Sequence, residues 1–294
     1  MKKILQFGTK GQVGWELLRT CAPLGEIVAL DYPDVDLSDS GGLRELVRSV
    51  KPDIIVNAAA YTNVDKAENE PELARAINAT GPAVLAEEAK KINAVLVHYS
   101  TDYVFDGTKG SPYVETDATN PLNMYGQTKL EGEQAIAASG CANLVLRTSW
   151  VYSMRQGGFV TKVLQWARTQ EVMRVVDDQI SSPTSARMLA EVTALILGQG
   201  REDVFGYLSE NGGLYHCAGG GSCSRYEWAK AILEYDPRKE EQVVKELLPA
   251  KSTDFAVPAN RPMVSVLECD NLFGTFRLRQ PTWEECLRLT TEIA

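Results

Sequence analysis

Histidine is nearly absent from this 294-residue sequence, with only His98 and His216, and the six cysteines include no C-x-x-C pair. Local spacing therefore cannot assemble a zinc-type ligand cluster, and no metal is expected. Cys21, Cys141, Cys217, Cys223, Cys269 and Cys286 read instead as reduced, mostly core, thiols of a cytoplasmic protein. A surplus of basic charge is also missing: 30 Lys and Arg face 39 Asp and Glu, a formal net charge of −9. That balance argues against nucleic acid or an anionic membrane surface as a partner. An anionic substrate must then be met by a few local cations. No stretch approaches the roughly 20 apolar residues of a membrane span. The opening Met1–Phe7 starts like a secretion signal, but its apolar run stops at Gly8 and Lys10 and reads better as a buried first strand.

What is present is alternation. Short apolar runs at Ile4–Phe7, Glu26–Leu30, Ile54–Ala60, Ala94–Ser100 and Leu144–Thr148 read as strands. Helical patterns lie between them at Val13–Cys21, Leu43–Val50, Glu72–Ile92 (one long helix or two) and Tyr125–Ala138. Strands alternating with helices imply βαβ units and a parallel sheet covered on both faces. After Trp150 the pattern loosens, with helices at Phe159–Thr169, Ala186–Leu197 and Tyr226–Glu234, a strand near Val172–Val176 and a proline-bearing tail. The expected fold is α/β, a Rossmann-type doubly wound parallel sheet with a smaller, interwoven α/β substrate lobe. Residues 1–150 would form the dinucleotide-binding domain, completed by parts of 170–225, and 151–294 would be mostly the discontinuous substrate lobe.

Gly8-Thr9-Lys10-Gly11-Gln12-Val13-Gly14 joins the first strand to the first helix. Glycines there allow a tight turn and close approach of backbone to a pyrophosphate, whose charge meets the helix N-terminus. Asp31 closes the second strand, near the ~20-residue offset of the acid that binds an adenosine ribose. An acid there favours NADH, whereas Lys10 could meet the extra phosphate of NADPH. Asp36-Leu37 follows and suits an adenine contact, although Asp36 alone reads equally well as a turn or cap residue.

Tyr125 and Lys129 are spaced i, i+4, on one face of a helix. A phenol is a poor acid–base group at neutral pH, and a nearby ammonium would lower its pKa by a couple of units at ~5 Å. The spacing alone is weak evidence, since Tyr226–Lys230 and Tyr235–Lys239 share it. Position separates them, because only Tyr125 follows a buried strand ending in a polar cluster, Ser100-Thr101-Asp102-Tyr103. Ligands of open α/β sheets bind outside the carboxyl ends of strands.

Together these residues resemble the extended short-chain dehydrogenase/reductase family. The likeness rests on FGTKGQVGWEL (Phe7–Leu17), PDIIVNAAAYTNVDKAENE (Pro52–Glu70), HYSTDYVF (His98–Phe105), ETDATNPLNMYGQTKLEGE (Glu115–Glu133) and RTSWVY (Arg147–Tyr152). It continues through DQISSPT (Asp178–Thr184), GLYHCAG (Gly213–Gly219) and ANRPMVSVL (Ala259–Leu267). The resemblance implies a reductase of the 4-keto group of a nucleotide-linked sugar, using NADH or NADPH. It implies Thr101, Tyr125 and Lys129 as the catalytic set. Gly8, Lys10, Gly11, Gln12, Val13, Asp31, Asp36, Leu37, Ala58, Ala60, Tyr61 and Thr62 would join Tyr125 and Lys129 around the cofactor. Thr101, Asp102, Tyr103 and Trp150 would meet the sugar nucleotide, with Arg261 at its diphosphate. Bland readings of Trp150 as lobe-packing bulk and Arg261 as a surface ion pair stand beside these. Ser181 occupies the glycine position of the family's D-Q-x-G-x-P-T loop. Glu16 fits one position of a dimer-contact metal site described in some members, but Arg187 stands where another glutamate would be. A monomer or homodimer is expected. The alternatives are a non-catalytic dinucleotide-binding regulatory subunit and a related nucleotide-sugar reductase or epimerase.

Overall fold

The computed structural model describes residues 1–155 and 157–292. Its centre is a six-stranded, all-parallel sheet. The strands are β1 (Lys2–Phe7), β2 (Gly25–Leu30), β3 (Ile54–Asn57), β4 (Val95–Thr101), β5 (Asn143–Thr148) and a late edge strand, Gly213–His216. From one edge to the other the order is β2, β1, β3, β4, β5, Gly213–His216. β1 therefore has β2 on one side and β3 on the other, and the chain reverses direction across the sheet between them. That switch point opens a crevice beyond the carboxyl ends of β1 and β3.

The continuous apolar character of the strands follows from burial on both faces, with successive side chains pointing oppositely. Ile4, Ile54, Val56, Val95, Val97, Leu144 and Leu146 pack with Leu17 of α1 (Gln12–Thr20) and Leu189 and Ile196 of helix Ala186–Gln199. Leu5, Phe7, Ile55, Leu96 and Val145 face the other way, against Leu43 and Val47 of α2 (Ser40–Val50), Leu85 and Ile136. A third cluster, around Tyr152, Val160, Met173, Trp228, Ile232 and Trp283, forms the core of the second lobe. There, strand Val172–Val176 pairs in parallel with Glu246–Ala250. The chain enters this lobe after β5 and returns to the sheet for helix Ala186–Gln199 and the strand Gly213–His216. It then leaves again for helix Arg225–Glu234.

Two expected elements differ. The strand predicted over Ile54–Ala60 stops at Asn57 because the backbone turns under the first glycine loop. Ala58 N–H donates to the Phe7 carbonyl, and Ala59 N–H donates to the Asn57 side chain. The pattern over Glu72–Ile92 resolves into helix Pro71–Arg75, a π turn at Ala76–Thr80 and helix Gly81–Ile92. The widened turn carries buried Asn78, whose amide accepts from Tyr61 N–H at 2.8 Å and donates to the Tyr61 carbonyl at 3.1 Å. Such π turns recur where a helix is distorted to serve a site. Here it pins the loop that leaves β3.

Candidate active site

At the switch point, Gly8 has φ +78°, and a Cβ there would lie 2.6 Å from Ala58 C and Ala59 N. A side chain on Gly14 would overlap the Gly8 carbonyl oxygen. Only glycine allows the β1–α1 turn to sit this close to the β3 loop. Gly11 caps α1 without a side-chain hydrogen bond, so the first N–H groups of that helix remain available to an anion. Beside the turn lies a cavity of about 310 Å³, lined by Gly8, Gly11, Asp31, Asp36, Leu37, Ala58, Ala60 and Thr62. Tyr32, Val35, Ala59 and Ile77 complete its wall. Largely apolar walls with two acids, Asp31 and Asp36, suit an adenosine, and the open helix terminus beside them suits a pyrophosphate.

The remaining expected cofactor residues point elsewhere. Gln12 reaches the second lobe, its amide donating to Val151 O at 3.3 Å and accepting from the Ser153 hydroxyl at 3.0 Å. The Val13 side chain packs toward the core, leaving its backbone to face the turn. The Tyr61 hydroxyl donates to Glu70. Lys10 donates its backbone N–H to Asp31 and its ammonium to the Tyr32 carbonyl at 2.8 Å. Asp31 also accepts from Tyr32 N–H at 2.8 Å, which fixes its carboxylate at the cavity wall. Asp36 is exposed and closes a turn onto Ser38, so the turn reading and the place at the rim both hold.

β4 carries its strand geometry through Thr101 and so delivers that hydroxyl to the carboxyl end of the sheet. Helix Met124–Ser139 starts where the Asn123 side chain accepts from Gly126 N–H at 2.8 Å. That cap puts Tyr125 in the first turn, open to the site, and Lys129 one turn deeper. Burial pushes the Tyr125 phenol well above its ordinary value, while the nearby Thr101 hydroxyl pulls the other way. Thr101 donates to Asp102 at 3.1 Å and accepts from Tyr103 N–H at 3.1 Å. The Tyr103 ring meets that of Tyr125 edge-on at 5.9 Å.

Lys129 lies deeper than its helical spacing alone suggests. Its ammonium donates to the Tyr99 carbonyl at 2.6 Å and lies 3.0 Å from His98 Nε2. Helical spacing puts the two residues on one face, but the long lysine chain turns inward to the β4 backbone. Burial lowers Lys129 to about 8, with the Glu133 carboxylate opposing the shift. Burial and the Lys129 charge together hold His98 well below its ordinary value, as a neutral imidazole.

Asp102 is buried and receives hydroxyls from Ser265 at 2.5 Å, Ser181 at 3.2 Å and Thr101 at 3.1 Å. Burial raises it to about 6 against the pull of these donors. Ser181, at the position where the family has glycine, thus ties the second lobe to the end of β4. Trp150 has φ 42°, stacks on Trp228 at 5.6 Å and receives the Arg225 guanidinium at 3.7 Å over its ring. It packs against the core of the second lobe and carries a cation over its ring. Arg261 forms the ion pair its bland reading described, with Asp65 at 2.7 Å. It also lines a cleft of about 1000 Å³ together with Arg225, which sequence reasoning passed over. Of the decoys, Tyr226 donates its hydroxyl to Leu247 O in the second lobe, and Tyr235 follows the end of helix Arg225–Glu234.

A family profile described as the RmlD substrate binding domain matches residues 1–293. The dTDP-4-dehydrorhamnose reductase of Escherichia coli strain K12 is 42% identical over 289 residues, covering 96% of this chain and 94% of that protein. The enzyme of the same name from Burkholderia thailandensis is 42% identical over 291 residues, covering 98% and 97%. Among solved structures, the dTDP-4-dehydrorhamnose reductase from Bacillus anthracis in complex with NADP aligns with a TM-score of 0.89 at 32% identity, over 100% of this chain and 99% of that one. A UDP-glucose 4-epimerase from Thermus thermophilus, complexed with NAD, shares the fold at 21% identity, with a TM-score of 0.79 over 99% and 98%. Profile, relatives and structures agree along almost the entire length: the chain belongs to the dTDP-4-dehydrorhamnose reductase family.

Proposed function

We propose that this protein reduces the C4 keto group of dTDP-4-dehydro-L-rhamnose (dTDP-6-deoxy-L-lyxo-4-hexulose) to dTDP-L-rhamnose, with Tyr125 as the proton donor. The observation that carries the reading is the meeting of Tyr125 and Thr101 at the carboxyl end of β4. The glycine-lined cavity lies beyond the end of β3, the neighbour of β4, and Tyr103 links Tyr125 to the arginines of the large cleft. A bound nicotinamide dinucleotide supplies the hydride. Gly8, Gly11 and the first turn of α1 would hold its pyrophosphate, and Asp31 its adenosine ribose. The fixed Asp31 carboxylate favours NADH, since a 2′-phosphate would crowd it.

Tyr125 then gives its proton to the oxygen that becomes the C4 alkoxide, and Thr101, turning its one O–H from Asp102, donates a hydrogen bond to the same oxygen. A phenol held above its ordinary pKa keeps its proton at neutral pH, as a donor must, and an alkoxide is basic enough to take it. Lys129 donates one of its three N–H bonds to the Tyr99 carbonyl and keeps donors for a ribose hydroxyl. Its role is therefore to position rather than to acidify Tyr125.

Purified protein mixed with the freshly made 4-keto sugar nucleotide should oxidise dinucleotide, followed at 340 nm, with NADH outpacing NADPH. Tight dinucleotide binding with no oxidation of either coenzyme would reject this substrate. A pH profile checks the lysine. Because Lys129 is lowered to about 8, its ammonium is lost as pH rises through that value, and kcat/KM should fall on the alkaline side with loss of one proton. Tyr125, shifted the other way, titrates above this window. A profile flat from pH 7 to 9.5 would remove Lys129 from the site.

A further inference from the structure

The protein is acidic overall, yet its largest cleft is not. Lys162, Arg174, Arg225 and Arg261 line it, and among the described residues no carboxylate does. These four cations are not equivalent. Arg174 is neutralised by Asp254 at 2.6 Å and Arg261 by Asp65 at 2.7 Å. Lys162 is exposed, so water compensates its charge. Arg225 has neither kind of compensation. It is half-buried, and among the described residues no carboxylate comes within ion-pair distance of it. Asp102 is the acid whose charge it feels, but the Asp102 oxygens are occupied by the hydroxyls of Ser265, Ser181 and Thr101.

The surroundings hold this guanidinium in one pose. Its central carbon lies 3.7 Å over the Trp150 ring, 5.0 Å from the Phe159 ring centre and 5.7 Å from that of Trp228. Stacking takes up a face of the planar group and leaves the in-plane N–H fork free, the edge that bonds phosphate oxygens in pairs. The backbone is fixed as well. Ser224 and Glu227 form a reciprocal cap at the start of helix Arg225–Glu234, and Arg225 N–H donates to Gln179 O at 3.2 Å. A desolvated, unpaired cation is costly to keep unless a ligand brings the missing anion.

We infer that Arg225 is the principal cation for the diphosphate of the nucleotide-sugar substrate. The assignment rests on the function proposed above. Tyr103 connects the two places: it lies close enough to Arg225 and Arg261 for their charges to act on its hydroxyl, and its ring meets that of Tyr125 edge-on. A diphosphate on Arg225 thus leaves the sugar to reach toward Thr101 and Tyr125. Arg261, already paired with Asp65, is secondary.

Calorimetry of the full chain with dTDP, thymidine and dinucleotide tests this. Arg225→Gln should weaken dTDP binding by about 10- to 100-fold, the range of a lost charge-assisted hydrogen-bond pair. Thymidine and dinucleotide affinities should be unchanged, as should dTDP affinity in Arg174→Gln, whose cation is already paired. In turnover, the KM for the sugar nucleotide should rise with little change in kcat. Arg225→Lys, which keeps the charge on the same packing face, should lose only part of the dTDP affinity and serves as the test where the glutamine variant does not fold. Unchanged dTDP affinity in either variant overturns the assignment. So does an equal loss for dTDP and thymidine, which would make Arg225 a base platform or packing residue. Because binding is read without turnover, Arg225-dependent dTDP binding in a protein that leaves the 4-keto sugar unreduced would sink the function and keep this site. Normal turnover with an unmoved KM would do the reverse.

Discussion

Replacing Tyr125 with phenylalanine is expected to lower kcat by about 10²- to 10⁴-fold, the usual contribution of one positioned general acid. The substitution removes one oxygen and keeps the ring, so the edge-on contact with Tyr103 survives. The Asn123 cap on Gly126 N–H does not involve the phenol, and the helix should start where it does now. Dinucleotide affinity and thermal stability should therefore remain near wild type while turnover collapses. A rate confined to kcat with KM unmoved would mark an interaction made only in the transition state. Near-normal turnover would remove Tyr125 as proton donor and leave the buried carboxyl of Asp102 as the proton source to examine next. A Thr101→Val variant should lose less, because it deletes a hydrogen bond to the reacting oxygen and not the proton.

The sheet, the glycine turn and the tyrosine were legible because each leaves a local mark. Burial on both faces writes a continuous apolar run, and a close backbone approach writes glycine. A helix start after a capping residue places Tyr125 in the first turn. What stayed hidden has no local mark. Tyr32, Val35, Ala59 and Ile77 complete the cavity proposed for the dinucleotide without any motif of their own, identified only once β1 and β3 lie side by side. Ser181 and Ser265 reach Asp102 from 79 and 163 residues away in the chain. The i, i+4 rule fixed the face that Lys129 shares with Tyr125 but not the direction of a four-carbon chain, which turns to the Tyr99 carbonyl. Arg225 was masked differently. It stands beside a Tyr-x-x-x-Lys decoy, and its meaning lies in the carboxylate it lacks and the tryptophan beneath it.

The second large effect concerns the buried pair behind the lysine. Arg147 on β5 donates to Glu133 through Nε at 2.9 Å and Nη2 at 2.6 Å, with both side chains almost wholly buried. The Ser100 hydroxyl also donates to Glu133. Burial and the Arg147 charge depress His216 beside it to about 3, so that imidazole adds no charge. Removing one partner leaves an uncompensated charge in the interior, a loss of about 3–5 kcal/mol. Against a total stability of roughly 5–15 kcal/mol, Arg147→Met should bring the protein close to unfolding, read as a lower urea midpoint at unchanged slope. Removing both charges is a different matter, since apolar replacements of a buried pair are often near neutral. Arg147→Met combined with Glu133→Leu should therefore recover more than half of the single-variant loss, and a double variant as unstable as the two singles added together would refute the pairing argument. The same double variant reports on catalysis. Glu133 is the carboxylate that holds Lys129 up against desolvation, so its removal should move the alkaline limb of kcat/KM below about pH 8. Recovered stability together with an acid-shifted limb would show that the pair serves the fold through its balance of charge and serves the site through Glu133 alone.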